Sequence, residues 1–247
     1  GAGTVKLLAE NADLLTRRCG RPLIVTAVSA RDRKRERGID LSRAAWFDDP
    51  VHLAAEADAD VIVEVIGGSD GAAKSVVETA IGRKRDVVTA NKALLALHGA
   101  ELARAADQEG VSLAFEAAVA GGIPIVKALR EGLAGNRITR VYGILNGTCN
   151  YILSTMRKSK REFGDVLAEA QTLGYAEANP SFDIDGVDTA HKLALLTSLA
   201  FGCEVNYAGV HVEGIRHVSP LDIEYAAELG YRIKLLGSAK LTEHGVE

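Results

Sequence analysis

Between Gly174 and Lys192 the chain reads GYAEANPSFDIDGVDTAHK, a run of four carboxylates that ends on a lysine. Glu177, Asp183 and Asp185 lie in a stretch rich in turn formers, while Asp188 and Lys192 are four apart and share one face of the helix that follows. Carboxylates accept hydrogen bonds from an ammonium group, and a lysine beside them can exchange a proton. Such a cluster suits a small amino-acid aldehyde or alcohol.

Two plainer readings compete. An Asp/Lys pair four apart on a helix is often a solvated surface pair worth a few tenths of a kcal/mol. Against this, Leu193, Ala194, Leu195, Leu196, Leu199, Ala200 and Phe201 make the helix apolar nearly all round, the pattern of a buried helix. The other reading is a calcium loop at Asp183-Ile184-Asp185-Gly186. With Gly186 as the sixth loop residue, Lys192 falls where a bidentate glutamate is required, so that reading fails.

The elements that carry this cluster follow from hydrophobic patterning. The first half alternates short β-rich runs (Leu23–Ser29, Asp60–Ile66, Asp86–Thr89, Val111–Ala114) with helical patterns over 5–16, 51–57, 71–81 and 98–109. That rhythm predicts a parallel sheet covered by helices, with Val61–Ile66 as a central strand. The second half has helical segments near 123–133, 150–158, 162–172 and 188–201, and strand-like runs at 138–145, 210–215 and 231–240. A boundary near Ala120–Gly122 gives two domains, 1–120 and 121–247, the second of α+β type.

The chain has 247 residues, 47% of them hydrophobic and 25% charged, ordinary values for a globular protein. Its formal net charge of -4 gives no electrostatic reason to expect nucleic acid or an anionic membrane as partner. No apolar run reaches transmembrane length. Cys19, Cys149 and Cys203 form neither CxxC nor a zinc spacing, which points to a reducing, cytoplasmic setting. The histidines show no metal spacing.

Gly1-Ala2-Gly3-Thr4-Val5 before a helix looks like the tail of a glycine-rich dinucleotide loop, although the strand that precedes such loops is not in the sequence. If Gly1 is the third glycine, that strand lies upstream. The second strand of such a fold usually carries an acid for the NAD ribose or an arginine for the NADP phosphate. Here Val28-Ser29-Ala30-Arg31 opens a basic run (Arg31, Arg33, Lys34, Arg35, Arg37), so NADP is the expected cofactor over NAD, with Arg31 the first candidate. A solvated charged loop is the plainer alternative.

From Ala170 through Lys192 the sequence resembles the signature of the homoserine dehydrogenase family, including Gly174-Tyr175, Asn179-Pro180, Asp183, Gly186, Asp188 and Lys192. Three further blocks agree in order and spacing: Thr89–Lys92 (TANK), Glu116–Pro124 (EAAVAGGIP) and Asn146–Leu153 (NGTCNYIL). The resemblance implies an α/β fold: a Rossmann-like parallel-sheet cofactor domain and an α+β domain for substrate binding and dimerisation. It implies NAD(P)-dependent interconversion of L-aspartate 4-semialdehyde and L-homoserine, in threonine and methionine biosynthesis, by a cytoplasmic homodimer. On the same resemblance Lys192 is the proton donor, Lys92 the second lysine near nicotinamide and substrate, and Asp188 both binds substrate and orients Lys192. Glu177 and Asp183 join it on the substrate, Gly147 and Thr148 offer backbone N–H groups to the substrate carboxylate, and Gly1 is the last glycine of the cofactor loop. Glu116 with the carbonyls of Val119, Gly121 and Ile123 would bind a monovalent cation, Na+ or K+. The family continues beyond both ends of this sequence, which leaves the alternative of a dimeric fragment that binds substrate without cofactor.

An enzyme of another kind remains open at this stage. Asn146–Asn150 (NGTCN) is similar to the cysteine loop of phosphorylating aldehyde dehydrogenases, in which Cys149 would add to the aldehyde as a thiohemiacetal. That reading leaves the 174–192 run without a role.

Overall fold

The computed structural model describes residues 1–247. The chain divides into two compact units, Gly1–Ala118 and Val119–Glu247.

The first unit begins with helices α1 (Ala2–Glu10) and α2 (Ala12–Cys19) where the sequence pattern predicts one. Asn11 separates them: its side-chain Nδ2 donates to Leu7 O at 3.0 Å, a local bond that competes with helix continuation. Strands β1 (Ala27–Ser29) and β2 (Ala45–Phe47) pair in parallel, followed by α3 (Pro50–Glu56). Strands β3 (Val61–Glu64), β4 (Asp86–Thr89) and β5 (Leu113–Ala114) form a second parallel set, in that order, with α4 (Ala72–Gly82) and α5 (Lys92–Glu109) as the crossovers. Parallel neighbours need such crossovers, so the βαβ rhythm in the sequence becomes this α/β architecture. Ile62, Val76, Val77, Ile81, Val87, Leu94 and Leu102 make its core.

Strand β3 differs from expectation. It is not central but pairs with β4 alone, and its residues alternate: Ile62 and Glu64 point inward, while Val61 and Val63 are 41% and 47% exposed. The run is apolar on both faces, but the helices cover only one. The helix expected over 98–109 starts six residues earlier, at Lys92, because Asn91 caps it by accepting from Leu94 N.

The second unit holds α6 (Ile125–Lys127) running into a π-helical turn at Ala128–Gly132, then β6 (Arg140–Gly143), α7 (Gly147–Ser159) and α8 (Phe163–Thr172). After these come α9 (Ser181–Ile184), α10 (Val187–Phe201), a 3-10 turn at Tyr207–Gly209, α11 (Pro220–Glu228), β7 (Gly237–Thr242) and β8 (Gly245–Val246). β6, β7 and β8 are antiparallel neighbours. The core packs α7, α8, α9 and α11 around Cys149, Ile152, Met156, Val166, Ala170, Ile184 and Ile223. No helix is long and apolar enough to cross a membrane.

The strand expected over 210–215 is absent. The segment lies instead on the turn between α9 and α10, where Ile215 N donates to Ile184 O at 2.8 Å. A Cβ on Gly214 would sit 2.5 Å from Ile184 O and 2.7 Å from Asp185 Cα, so only glycine permits that approach. Helix α11 escapes the hydrophobic pattern, yet its start is written out: Ser219 and Asp222 form a capping box around Pro220. Gly214→Ala is expected to destabilise the chain by about 1–3 kcal/mol, the usual cost of overpacking. Gly135→Ala, with nothing within 4 Å of its Cβ, is the control that should leave the denaturant midpoint in place. Equal midpoints for the two would remove this account of the turn.

Candidate active site

Helix α10 carries both halves of the pair read from the sequence. Asp188 is 2% exposed, and Lys192 Nζ lies 2.8 Å from its Oδ2. The surface-pair reading fails on that burial. Lys192 Nζ also donates to Leu145 O at 2.9 Å, where the chain leaves β6. Two of the three ammonium hydrogens are thereby committed, which leaves one.

The four carboxylates of the run, alike in sequence, take four different environments. Asp188 is buried on Lys192. Asp183 is half-buried, and its Oδ1 accepts from Asn146 Nδ2 at 2.9 Å. Asp185 turns away to Arg216, whose guanidinium bonds both its oxygens and reaches Ser181 Oγ at 2.8 Å. That hydrogen bonding holds the Asp185 carboxyl below the usual carboxylate range and makes it a structural clamp. Glu177 is exposed with no side-chain partner, while Gln171 Nε2 donates to its main-chain oxygen at 3.0 Å.

Asn146 is the residue that sequence reasoning passed over. It is 4% exposed and caps α7, its Oδ1 accepting from Cys149 N at 2.8 Å. Its Nδ2 donates to Asp183 Oδ1 and to Asp188 Oδ2, both at 2.9 Å. The available signal was an asparagine immediately before a helical pattern, a standard N-cap. The cap is therefore Asn146. Gly147 and Thr148 are the first helical residues, and their N–H groups precede the one that Asn146 takes. Thr148 Oγ1 donates to Tyr175 O at 2.9 Å, tying the loop that bears Glu177 to the start of α7.

Cys149 is fully buried and its Sγ donates to Asp183 O at 3.3 Å. Burial first, then the charges of Asp183, Asp188 and Asp185, push its thiol up to about 12. A thiol in that setting is neither ionised nor reachable, so the thiohemiacetal reading is overturned. His191, buried between the rings of Phe182 and Tyr207 at 5.3 and 4.4 Å, packs as a core aromatic.

In the first unit, Lys92 opens α5 directly after its cap. Asn91 Nδ2 donates to Gly68 O at 2.6 Å, and Asn91 N to Thr89 Oγ1 at 3.0 Å. Thr89 Oγ1 in turn donates to Glu64 Oε2 at 2.6 Å, and Glu64 Oε1 accepts from Ile66 N and Gly67 N. Glu64, the lone charge in β3, thus fixes the loops at the carboxyl ends of β3 and β4, where open α/β sheets bind ligands. Gly1 precedes α1, and its carbonyl accepts from Val5 N at 3.1 Å. Arg31 is exposed past the end of β1 with no partner. Its neighbours are engaged: Arg33 and Arg37 lie 5.7 and 5.6 Å over the Trp46 ring, and Arg37 also reaches Asp32 O. Glu116 belongs to the first unit, and Val119, Gly121 and Ile123 to the second, in a run of bends and turns. No group of three or more His, Cys, Asp or Glu side chains could hold a metal ion.

Comparison with known proteins agrees along the chain. A family model described as "Homoserine dehydrogenase, NAD binding domain" matches residues 1–116, and one described as "Homoserine dehydrogenase" matches 124–247. The homoserine dehydrogenase of Neisseria gonorrhoeae is 50% identical over 247 residues, 100% of this chain and 56% of its own length. That of Pseudomonas aeruginosa is 50% identical over 249 residues, with 100% and 56% covered. The crystal structure of a homoserine dehydrogenase from Thiobacillus denitrificans, 47% identical, superposes with a TM-score of 0.93 over 100% of this chain and 57% of that one. The chain spans little more than half the length of the curated relatives it matches.

The thiol geometry is directly measurable. In the native protein Ellman's reagent at pH 8 should titrate the two exposed cysteines, Cys19 and Cys203, promptly, and Cys149 only on unfolding. Prompt reaction of Cys149 would contradict its burial.

Proposed function

This chain belongs to the homoserine dehydrogenase family, and from that premise we propose that the protein interconverts L-aspartate 4-semialdehyde and L-homoserine with a nicotinamide cofactor, in threonine and methionine biosynthesis. The observation that carries the reading is the Lys192 ammonium, held by buried Asp188 and by Leu145 O with one donor to spare. Reducing an aldehyde requires a proton at the carbonyl oxygen as it becomes an alkoxide, and Lys192 supplies it; in the reverse direction the lysine takes it back. The nicotinamide supplies the hydride when bound.

The remaining roles follow the same residues. The Glu177 carboxylate, with no partner of its own, and the second oxygen of Asp183 accept from the substrate ammonium, and Asp188 joins them while orienting Lys192. The N–H groups of Gly147 and Thr148, at the positive end of the 13-residue helix α7, hold the substrate carboxylate. Lys92, set by the Asn91 cap, is the second lysine of the site. Glu116 with the carbonyls of Val119, Gly121 and Ile123 suits a monovalent cation, since one carboxylate is too little charge for a tight divalent site. The carbonyl of Ile123 accepts from Ile125 N at 2.8 Å and keeps one lone pair for such an ion.

NADP is the preferred cofactor on the ground that Arg31, exposed just past the end of β1, has no side-chain partner. Gly1 lies at the cofactor loop, with residues 1–120 as the cofactor domain and 121–247 as the substrate and dimerisation domain. A homodimer is proposed through the second unit's sheet, where Tyr142 on β6 is 69% exposed and Ile144, just beyond it, 45% exposed; a cytoplasmic location is proposed from the cysteine usage.

Two assays on the complete protein test this. NADPH oxidation on adding L-aspartate 4-semialdehyde should fall by roughly 10²–10⁴-fold in Lys192→Ala, the range for a lost general acid. A Lys192→Ala protein within twofold of its parent would remove the proposal. Separately, Arg31→Ala should raise KM for NADP about tenfold or more while leaving KM for NAD nearly unchanged, as expected for loss of a charge-assisted phosphate contact. Equal effects on both cofactors would refute the role of Arg31.

A further inference from the structure

We propose that Asn146 is a positioning residue of this site: its one side-chain amide holds the Asp183 and Asp188 carboxylates together and, through Asp188, fixes the Lys192 ammonium. The inference rests on the reading of those three residues as the working groups of the proposed reaction.

The case begins with a constraint on residue type. The position before α7 needs an oxygen to accept from Cys149 N and two hydrogens for the two acids. Serine and threonine bring one hydrogen, aspartate none, and glutamine is too long to cap from that position. Asparagine alone meets all three demands. The orientation of its amide is fixed by the same chemistry, because the reversed amide would set an oxygen against two carboxylates and an NH2 against an N–H.

The acids cannot be aligned by local geometry. Asp183 lies on α9 and Asp188 on α10, and Gly186, with φ +85, turns the chain between them. Two carboxylates directed to one place repel. A neutral donor between them offsets that repulsion; Asp188 also has the Lys192 ammonium, and Asp183, which has no cation on it, keeps its second oxygen for a substrate ammonium. The oxygen of Asp188 that receives the amide, Oδ2, is also the one that Lys192 contacts. Asn146 therefore sets the carboxylate plane that the lysine meets, while the preceding carbonyl, Leu145 O, holds the ammonium from a second direction.

Asn146→Ser and Asn146→Asp in the complete protein separate positioning from capping, since each keeps a cap oxygen and neither can bridge two acids. Asn146→Ser should melt within a few degrees of the parent, whereas Asn146→Asp, which sets a third carboxylate against the two acids, should melt lower. Both should lose about tenfold or more in kcat and raise KM for homoserine, with KM for the nicotinamide cofactor unchanged, as expected when charge-assisted bonds at a reacting group are lost. Values of kcat and of KM for homoserine within twofold of the parent in both variants would overturn the proposal. A second readout needs neither activity nor a stable Asn146 variant. In an asparagine-labelled ¹H–¹⁵N spectrum, one of the two side-chain amide protons of Asn146 should shift on Asp183→Asn and the other on Asp188→Asn. An amide that ignores both changes overturns the bridge. A parent protein without homoserine oxidation, but with these shifts, would count against the proposed function and leave the bridge standing.

Discussion

The ion pair of Asp188 and Lys192 is the interaction around which the second unit is arranged. Withdrawing a carboxylate from water costs several kcal/mol unless a charge and hydrogen bonds stand in for the solvent. At 2% exposure Asp188 has that replacement from two directions, Lys192 one turn along its own helix and Asn146 from the start of α7. The requirement dictates packing. Helix α7 must begin where its cap reaches the mouth of α10, and β6 must end where Leu145 O meets the ammonium. The apolar body of α10, from Leu193 to Leu196, is buried behind the pair and holds its mouth in place.

The first unit solves a related problem with the same parts. Glu64 is buried at 1% exposure and is satisfied without a cation, by two backbone N–H groups and the Thr89 hydroxyl. Thr89 then accepts from Asn91 N, and Asn91 caps the helix that begins with Lys92. In both units a buried acid is linked to a capping asparagine, and a lysine follows from that link. The difference lies in what the acid faces. Glu64 is fully occupied by the protein and serves to shape loops, whereas Asp183 keeps an oxygen in reserve.

Much of this was legible in the sequence because its cause is local. The four-residue spacing of Asp188 and Lys192, the apolar run after them and the βαβ rhythm all depend on neighbours along the chain. So do the caps at Asn91, Asn146 and Ser219, although none of the three was used. What was not legible depends on partners far away in sequence. Nothing in the run 177–188 tells Asp185 from Asp183; Arg216, 31 residues on, and Asn146, 37 residues back, make the distinction. The 210–215 segment has the composition of a strand but finds the α9–α10 turn before it finds an edge. Strand β3 reads as doubly buried because its outer valines are as apolar as its inner isoleucine.

That last group of failures bears on the site itself. The turn at Asp185-Gly186 is closed by three contacts: Arg216 on Asp185, Ile215 N on Ile184 O, and the bare backbone of Gly214 against Asp185 Cα. Two of them, Gly214 and Ile215, belong to the segment that lost its strand, and Arg216 follows it directly. Had 210–215 joined a sheet, the contacts of Gly214 and Ile215 with the turn between α9 and α10 would be lost. The departure from the expected strand thus supports the turn that carries the two acids. A glycine with no room for a methyl group, packed on Ile184 and Asp185, helps hold the turn between two acids that the sequence places only five residues apart.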